Sequence, residues 1–182
     1  MHGALDDEIV ELTQLYDILG QMLIDVGAGW QAGTVEVWQE HLATGIIRTI
    51  VESCAWRVAD ASPQTPGASV VLAAPDHEYH DLGLRMLADR FTLAGWLAHF
   101  LGANVPAREV ASAVHELDAQ AVALSASTHF HRVRLSTYVA ALQQQLPSVQ
   151  IWIGGAAFTH GHTDWTASLA LDPRAIPPGG GR

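Results

Sequence analysis

The run SVVLAAP at residues 69–75, followed by DHEYHDLG at 76–83, decides the fold. Seven uncharged residues ending at a proline read as a strand buried on both faces. The polar stretch after it reads as a loop. Leu84, Leu87, Phe91, Ala94, Ala98 and Leu101 then recur at helical spacing, which predicts a helix ending at Gly102. The rhythm repeats downstream, with a short strand at 103–105 and, after Pro106, a helix at 107–116. AQAVALSAS (119–127) is the next strand, a helix follows near 132–145, and VQIWIGG (149–155) is a fourth strand. TASLAL (166–171) fits a last, weaker strand. Strands alternating with helices imply a parallel sheet with right-handed crossovers. Ligands of such sheets sit outside the carboxyl ends of the strands, so the loops at 75–83, 125–131 and 154–162 are where chemistry is expected.

Upstream, the text is different. Ile9, Leu12, Leu15, Ile18, Leu19 and Met22 lie at helical spacing behind the acidic residues Asp6, Asp7 and Glu8. Gly27, Gly29 and Gly33 are expected to break this helix around Trp30, and a second helix should start near Thr34 as N-cap and run to about Val58. The stretch around 61–68, rich in Pro, Ser and Gly, reads as a linker. The expected organisation is therefore a helical segment at 1–60, the linker at 61–68, an α/β domain at 69–175 and a loose tail at 176–182.

Composition removes several function classes. The 182 residues contain no lysine; nine arginines face nineteen acidic residues, a net charge of −10 with the ten histidines neutral. Without lysine there is no Schiff-base cofactor and no P-loop. The acidic balance disfavours binding to a phosphate backbone. Cys54 alone allows no intramolecular disulfide, and it is expected in the core. No signal-peptide pattern and no apolar run of spanning length occurs, so a cytoplasmic protein with no membrane segment is expected.

The loop after the first strand carries Glu78-x-His80-x-x-Gly83. A carboxylate two residues from an imidazole suits metal ligation, because it accepts the second ring N–H, fixes the tautomer and raises the basicity of the ring. Gly83 is expected to let the backbone turn close to whatever His80 touches. At the same sheet edge, Ser125 and Ser127 end the third strand and Gly154-Gly155 ends the fourth. Small residues there leave a slot in which an elongated polar tail could lie against bare backbone.

These residues together resemble the cobalamin-binding domain of corrinoid proteins, whose pattern is usually D-x-H-x-x-G, S-x-L and G-G. The resemblance implies a flavodoxin-like (Rossmann-type) fold, His80 as lower axial ligand to cobalt, and the displaced nucleotide tail threaded past Ser125 and Gly154-Gly155. Glu78 stands in place of the usual Asp, and Ser127 in place of Leu.

The N-terminal segment adds a second resemblance. Trp30, followed after nine residues by Glu40-His41, is similar to the W-x9-E-H motif in the helical cap of CarH-type photoreceptors. Val37, Glu40 and His41 fall at i, i+3 and i+4 and share one helix face. The resemblance implies a short helical cap in which Trp30 covers the upper face of adenosylcobalamin and Val37, Glu40 and His41 lie near the adenosyl group. Those receptors carry a histidine next to the Trp that captures cobalt after illumination. Here that position is Gln31, a poor cobalt ligand, so His41 or water should take the upper site.

The implied function is a non-enzymatic light sensor that signals through self-association, as a dimer, or through a separate protein effector, without contacting nucleic acid directly. The alternative is a corrinoid carrier subunit of a methyltransferase or mutase. Photocobilins, which are similar, pair cobalamin with a bilin; His129, His131, Arg132, Arg134, His160 and His162 are the candidates for holding biliverdin.

Overall fold

The computed structural model describes residues 2–65, 67–158 and 169–179, and the side chains within them other than those of 2–5 and 129. The chain divides into two compact units, Met1–Ser62 and Pro63–Arg182.

The first unit contains α1 (His2–Gln31), α2 (Val37–Ser53) and α3 (Ala55–Ala61). Leu12, Tyr16 and Leu19 form one buried stripe of α1; Ile47, Val51, Cys54, Val58 and Ala61 are the buried residues of α2 and α3. Both α2 and α3 pack on α1, and Arg57 Nε donates to Glu8 Oε1 at 2.5 Å across the α1–α3 contact. The expected break in α1 does not occur. Its helix runs through Gly27 and Gly29 to Gln31, so Trp30 lies on the last helical turn and not on a loop. The glycines serve the turn that follows: a Cβ on Gly29 would sit 2.6 Å from Val35 Cγ2, and Gly33 takes a positive φ of 72°. Thr34 donates its hydroxyl to the Gly29 carbonyl at 3.1 Å, closing α1. The N-cap of α2 is Glu36, whose N–H donates to Gln39 Oε1 at 2.9 Å.

The second unit is a four-stranded parallel sheet in the order β2-β1-β3-β4. Its strands are β1 (Ser69–Pro75), β2 (Leu97–Val105), β3 (Ala121–Ser125) and β4 (Gln150–Gly154). The connecting helices are α4 (Leu82–Leu93), α5 (Ala107–Glu116) and α6 (His129–Gln145). All seven residues of the central strand β1 are buried, as expected for a strand covered on both faces. Val71, Ala73, Val122 and Leu124 point to the side packed by Val110, Val114, Leu135 and Leu142 of α5 and α6. Val70, Leu72, Ala121 and Ala123 point to the other side, against Leu84, Ala88 and Phe91 of α4 and against Trp96. The chain is thus α/β and flavodoxin-like.

Three boundaries differ from expectation. Helix α4 stops at Leu93, where Gly95, at φ 86°, turns the chain, and residues 97–105 form a nine-residue edge strand instead of the end of a helix. Ala98 and Leu101 therefore belong to β2. Gly102, at φ 85°, follows an irregularity in the β1–β2 register and ends no helix. The stretch from Ile176 to Gly179 is docked: Trp96 Nε1 donates to Pro177 O at 2.7 Å, and Gly179 N to Ala94 O at 3.0 Å. Of TASLAL, residues 166–168 lie outside the described residues; Ala170 makes a single parallel bridge to Ile153. Among the described residues, no helix is long and apolar enough to cross a membrane.

Candidate functional site

Strand β1 ends at Pro75, and the chain then turns sharply through His77, which takes a left-handed φ of 65°. Asn104, at φ 55°, holds that turn from the end of β2. Its side-chain oxygen accepts the His77 N–H at 2.8 Å, and its own N–H donates to the Glu78 carbonyl at 2.9 Å. The turn drives the Glu78 side chain inward, to 1% exposure, while the His80 ring two residues on is 67% exposed.

The Glu78 carboxylate is saturated with donors. Oε1 accepts the His80 N–H at 2.9 Å and His80 Nδ1–H at 2.7 Å. Oε2 accepts the Ser127 N–H at 2.8 Å and the Ser127 hydroxyl at 2.5 Å, and His131 Nδ1 lies 2.8 Å from it. An ionised carboxylate accepts only, so the His80 contact places that ring's proton on Nδ1. Burial alone would raise the Glu78 pKa, but the hydrogen bonds from His80 and Ser127 outweigh it and bring the group down from 4.5 to about 2. A neutral His80 that donates from Nδ1 carries its lone pair on Nε2, the atom suited to bind a metal.

The residues singled out at the sheet edge meet around this carboxylate in part. Ser125 is the last residue of β3 and pairs with Gly154 of β4. Ser127 lies in the loop beyond the strand, and its two hydrogen bonds to Glu78 could not be read from a pattern in which it merely replaced a Leu. Gly83 lies in the first turn of α4 with open space where a Cβ would stand; the left-handed turn is made by His77, and Gly83 contributes only room. Gly155 has a different reason. At φ 103°, a Cβ there would meet Ala126 O at 2.4 Å and Ser125 Oγ at 2.6 Å, so it lets the β4 end close against the β3 end. Gly155→Ala should cost about 2–4 kcal/mol, from the left-handed strain plus a clash with backbone, read as a lowered midpoint in chemical denaturation. Gly154→Ala, whose Cβ would meet only Leu171 O at 3.9 Å, should cost far less.

His131 was a candidate for a bilin site. Its Nδ1 lies 2.8 Å from Glu78 Oε2 and 2.9 Å from Thr128 Oγ1, the N-cap hydroxyl of α6. Arg132 Nη1 donates to Ala157 O at 3.3 Å, with its guanidinium 5.2 Å from the Phe158 ring centre. Arg134 stacks on Phe130 at 5.5 Å and, with His131 and Tyr138, lines an open cavity of about 360 Å³ beside the ends of β1 and β3. His129 heads α6, but its side chain is outside the described ones, and His160 and His162 lie outside the described residues.

In the first unit, Val37, Glu40 and His41 share a face of α2 as the spacing predicts. Glu40 accepts from His41 Nδ1 through Oε2 and from Thr44 Oγ1 at 2.8 Å through Oε1. Val37, His41 and, on α1, Trp30 are exposed. Cys54 is buried between α2 and α3.

Comparison with known proteins gives a consistent picture. The B12 binding domain family matches residues 68–174. The HTH-type transcriptional repressor CarH of Myxococcus xanthus is 32% identical over 158 residues, 85% of this chain and 52% of the repressor. The repressor CarA of the same organism is 35% identical over 92 residues, 50% of this chain and 31% of its own length. The chain thus spans about half or less of the curated relatives it matches. Among solved structures, the Methanosarcina barkeri monomethylamine corrinoid protein superposes with a TM-score of 0.66 at 17% identity, covering 85% of this chain and 72% of that one.

Proposed function

Because the chain belongs to the B12-binding domain family, we propose that it holds adenosylcobalamin and acts as a light-responsive regulator, with His80 as lower cobalt ligand. The observation that carries this reading is the exposed His80 imidazole, locked through Nδ1 by a carboxylate that is itself buried and held ionised. That donor set fits cobalt: a neutral nitrogen at the carboxyl edge of a parallel sheet, with its outer partner already in place. When bound, the cofactor supplies a cobalt–carbon bond that visible light breaks.

The chain's own residues divide the work. Glu78 and Ser127 hold the His80 ring in one tautomer and orientation. Ser125, Gly154 and Gly155 line the sheet edge where the nucleotide tail would enter, and Gly83 leaves room beside it. By the resemblance, Trp30, Val37, Glu40 and His41 of the first unit would supply the upper cover, residues 1–60 serving as the cap, and Gln31 would leave the upper position to His41 or water. The similarity to CarH supports this division: it runs over 158 residues, more than the 120 of the second unit, so it includes part of the first. Loss of the adenosyl group would leave Trp30 and Val37, both exposed in the cofactor-free chain, without that cover, and a repacked cap would shift a dimer contact or the grip on a protein effector. The −10 charge favours a protein over DNA as that partner. The work is regulatory and not catalytic, and its expected place is the cytoplasm.

Adenosylcobalamin-loaded protein kept in the dark and then exposed to green light should change both its absorption spectrum and its elution volume on size exclusion. A change of spectrum with an unchanged elution volume, in the presence or absence of candidate effectors, would favour the carrier-subunit alternative. For biliverdin, Arg134 and His131 beside the cavity support the reading; an induced visible band on titration would establish it, and a free-pigment spectrum would end it.

A further inference from the structure

Glu78, His80 and His131 meet at the carboxyl edge of the sheet, each offering one ligand atom within 4.8 Å of the other two. Glu78 and His80 come from the loop after β1 and His131 from the first turn of α6, so the pairing of β1 with β3 assembles the set. We propose that, in the cobalamin-free chain, these residues bind one zinc-type divalent ion through the carboxylate and the two Nδ1 atoms, and that this ion keeps cobalt off His80. The exclusion rests on the reading of His80 as lower ligand; the ion site does not.

The distances suit such an ion. His80 Nδ1 lies 2.7 Å from Glu78 Oε1, and His131 Nδ1 lies 2.8 Å from Oε2. Zinc bonds of about 2.0–2.2 Å set neighbouring ligand atoms roughly 3.3 Å apart, so each contact has only to open by about half an ångström. Glu78 is 1% exposed and His131 15%, which fixes an anion and one ring; the 67% exposed His80 ring has the room to adjust. Two imidazoles and a carboxylate select zinc and its neighbours over magnesium and calcium, which prefer oxygen ligands. Three protein ligands leave the fourth position to water. A net charge of −10 draws cations toward the chain. An ion on His80 Nδ1 moves that ring's proton to Nε2, so the ring stays neutral and no proton is lost. Nε2 is the atom that cobalt requires, and once protonated it has no lone pair to give. Ion and cobalt thus compete for one ring, and each lowers the chain's affinity for the other by the same factor.

Zinc titration of the metal-stripped full chain against a chromophoric chelator is the first test. One zinc per chain is expected, with affinity about tenfold lower or worse in His80→Ala and in His131→Ala. The double variant His160→Ala/His162→Ala should bind zinc as the parent does. In nitrogen-15 NMR of the parent protein, one equivalent of zinc should move the His80 proton from Nδ1 to Nε2, a readout that needs no variant. Zinc-loaded protein mixed with cob(II)alamin in the dark should acquire the histidine-ligated spectrum only as zinc is released, one per cobalamin. No bound zinc, zinc that leaves the His80 proton on Nδ1, or zinc lost with His160 and His162 overturns the ion site. Histidine-ligated cobalamin formed with zinc still in place overturns the exclusion. Cobalamin that binds zinc-free protein without histidine ligation, while zinc still moves the His80 proton, ends the His80 reading and the exclusion with it, and leaves the ion site standing.

Discussion

Replacing Glu78 by Gln should lower the stability of the cofactor-free protein by about 3 kcal/mol at pH 7. A pKa of about 2 against 4.5 corresponds to that figure at 1.36 kcal/mol per unit. The amide also turns an N–H₂ toward groups that all donate, leaving some of them without an acceptor in a buried place. The pH dependence has a definite sign. The folded-state pKa is depressed, so the parent protein enjoys this stabilisation in full above about pH 4.5 and loses it as pH falls through about 2. The gap in denaturation midpoint between parent and variant should therefore be widest near neutrality and narrow on acidification. A gap that does not change with pH would mean that the carboxylate is not held ionised by its neighbours. The same substitution should weaken cobalamin binding by tenfold to hundredfold, the usual cost of losing the outer partner of a ligating histidine.

His80→Ala separates ligation from folding. The ring is 67% exposed, and Glu78 keeps its two bonds from Ser127, so stability should change by only about 1 kcal/mol. Cofactor affinity, by contrast, should fall by on the order of a hundredfold or more, beyond what loss of the outer partner alone costs, as read by equilibrium titration in the dark. Near-parental affinity in a folded His80→Ala protein would remove His80 from the cobalt site. The two substitutions thus predict opposite profiles: one costs both fold and cofactor, the other cofactor alone.

What could be read from the sequence was local. The β1 run, the polar loop behind it and the E-x-H spacing all lie within 15 residues, and their periodicity and chemistry survive folding unchanged. The misread boundaries arose where two patterns overlap. Ala98 and Leu101 continue the helical spacing of Leu84 and Phe91, yet they lie in the half-exposed edge strand β2, whose apolar residues need not alternate strictly. The stop signal was Gly95, not Gly102. In α1, packing of Leu12, Tyr16 and Leu19 against α2 and α3 overrides the poor helix propensity of Gly27 and Gly29. The rest of the site depends on long-range contact. Ser127 and His131 meet Glu78 across 49 and 53 residues of chain because β1 and β3 are neighbours in the sheet, and Asn104 holds the His77 turn from β2. An Asn near a strand end is a known resident of left-handed φ, and that was the one available hint of its role.

The central claim is that a histidine of this chain, and not the cofactor's own base, binds cobalt from below. Electron paramagnetic resonance of cob(II)alamin bound to protein made with nitrogen-15 histidine tests it most directly. A nitrogen-15 nucleus splits each cobalt line into a doublet and the cofactor's nitrogen-14 base into a triplet. Doublets are predicted, and their loss in His80→Ala assigns them; triplets that persist in the labelled protein would contradict the claim.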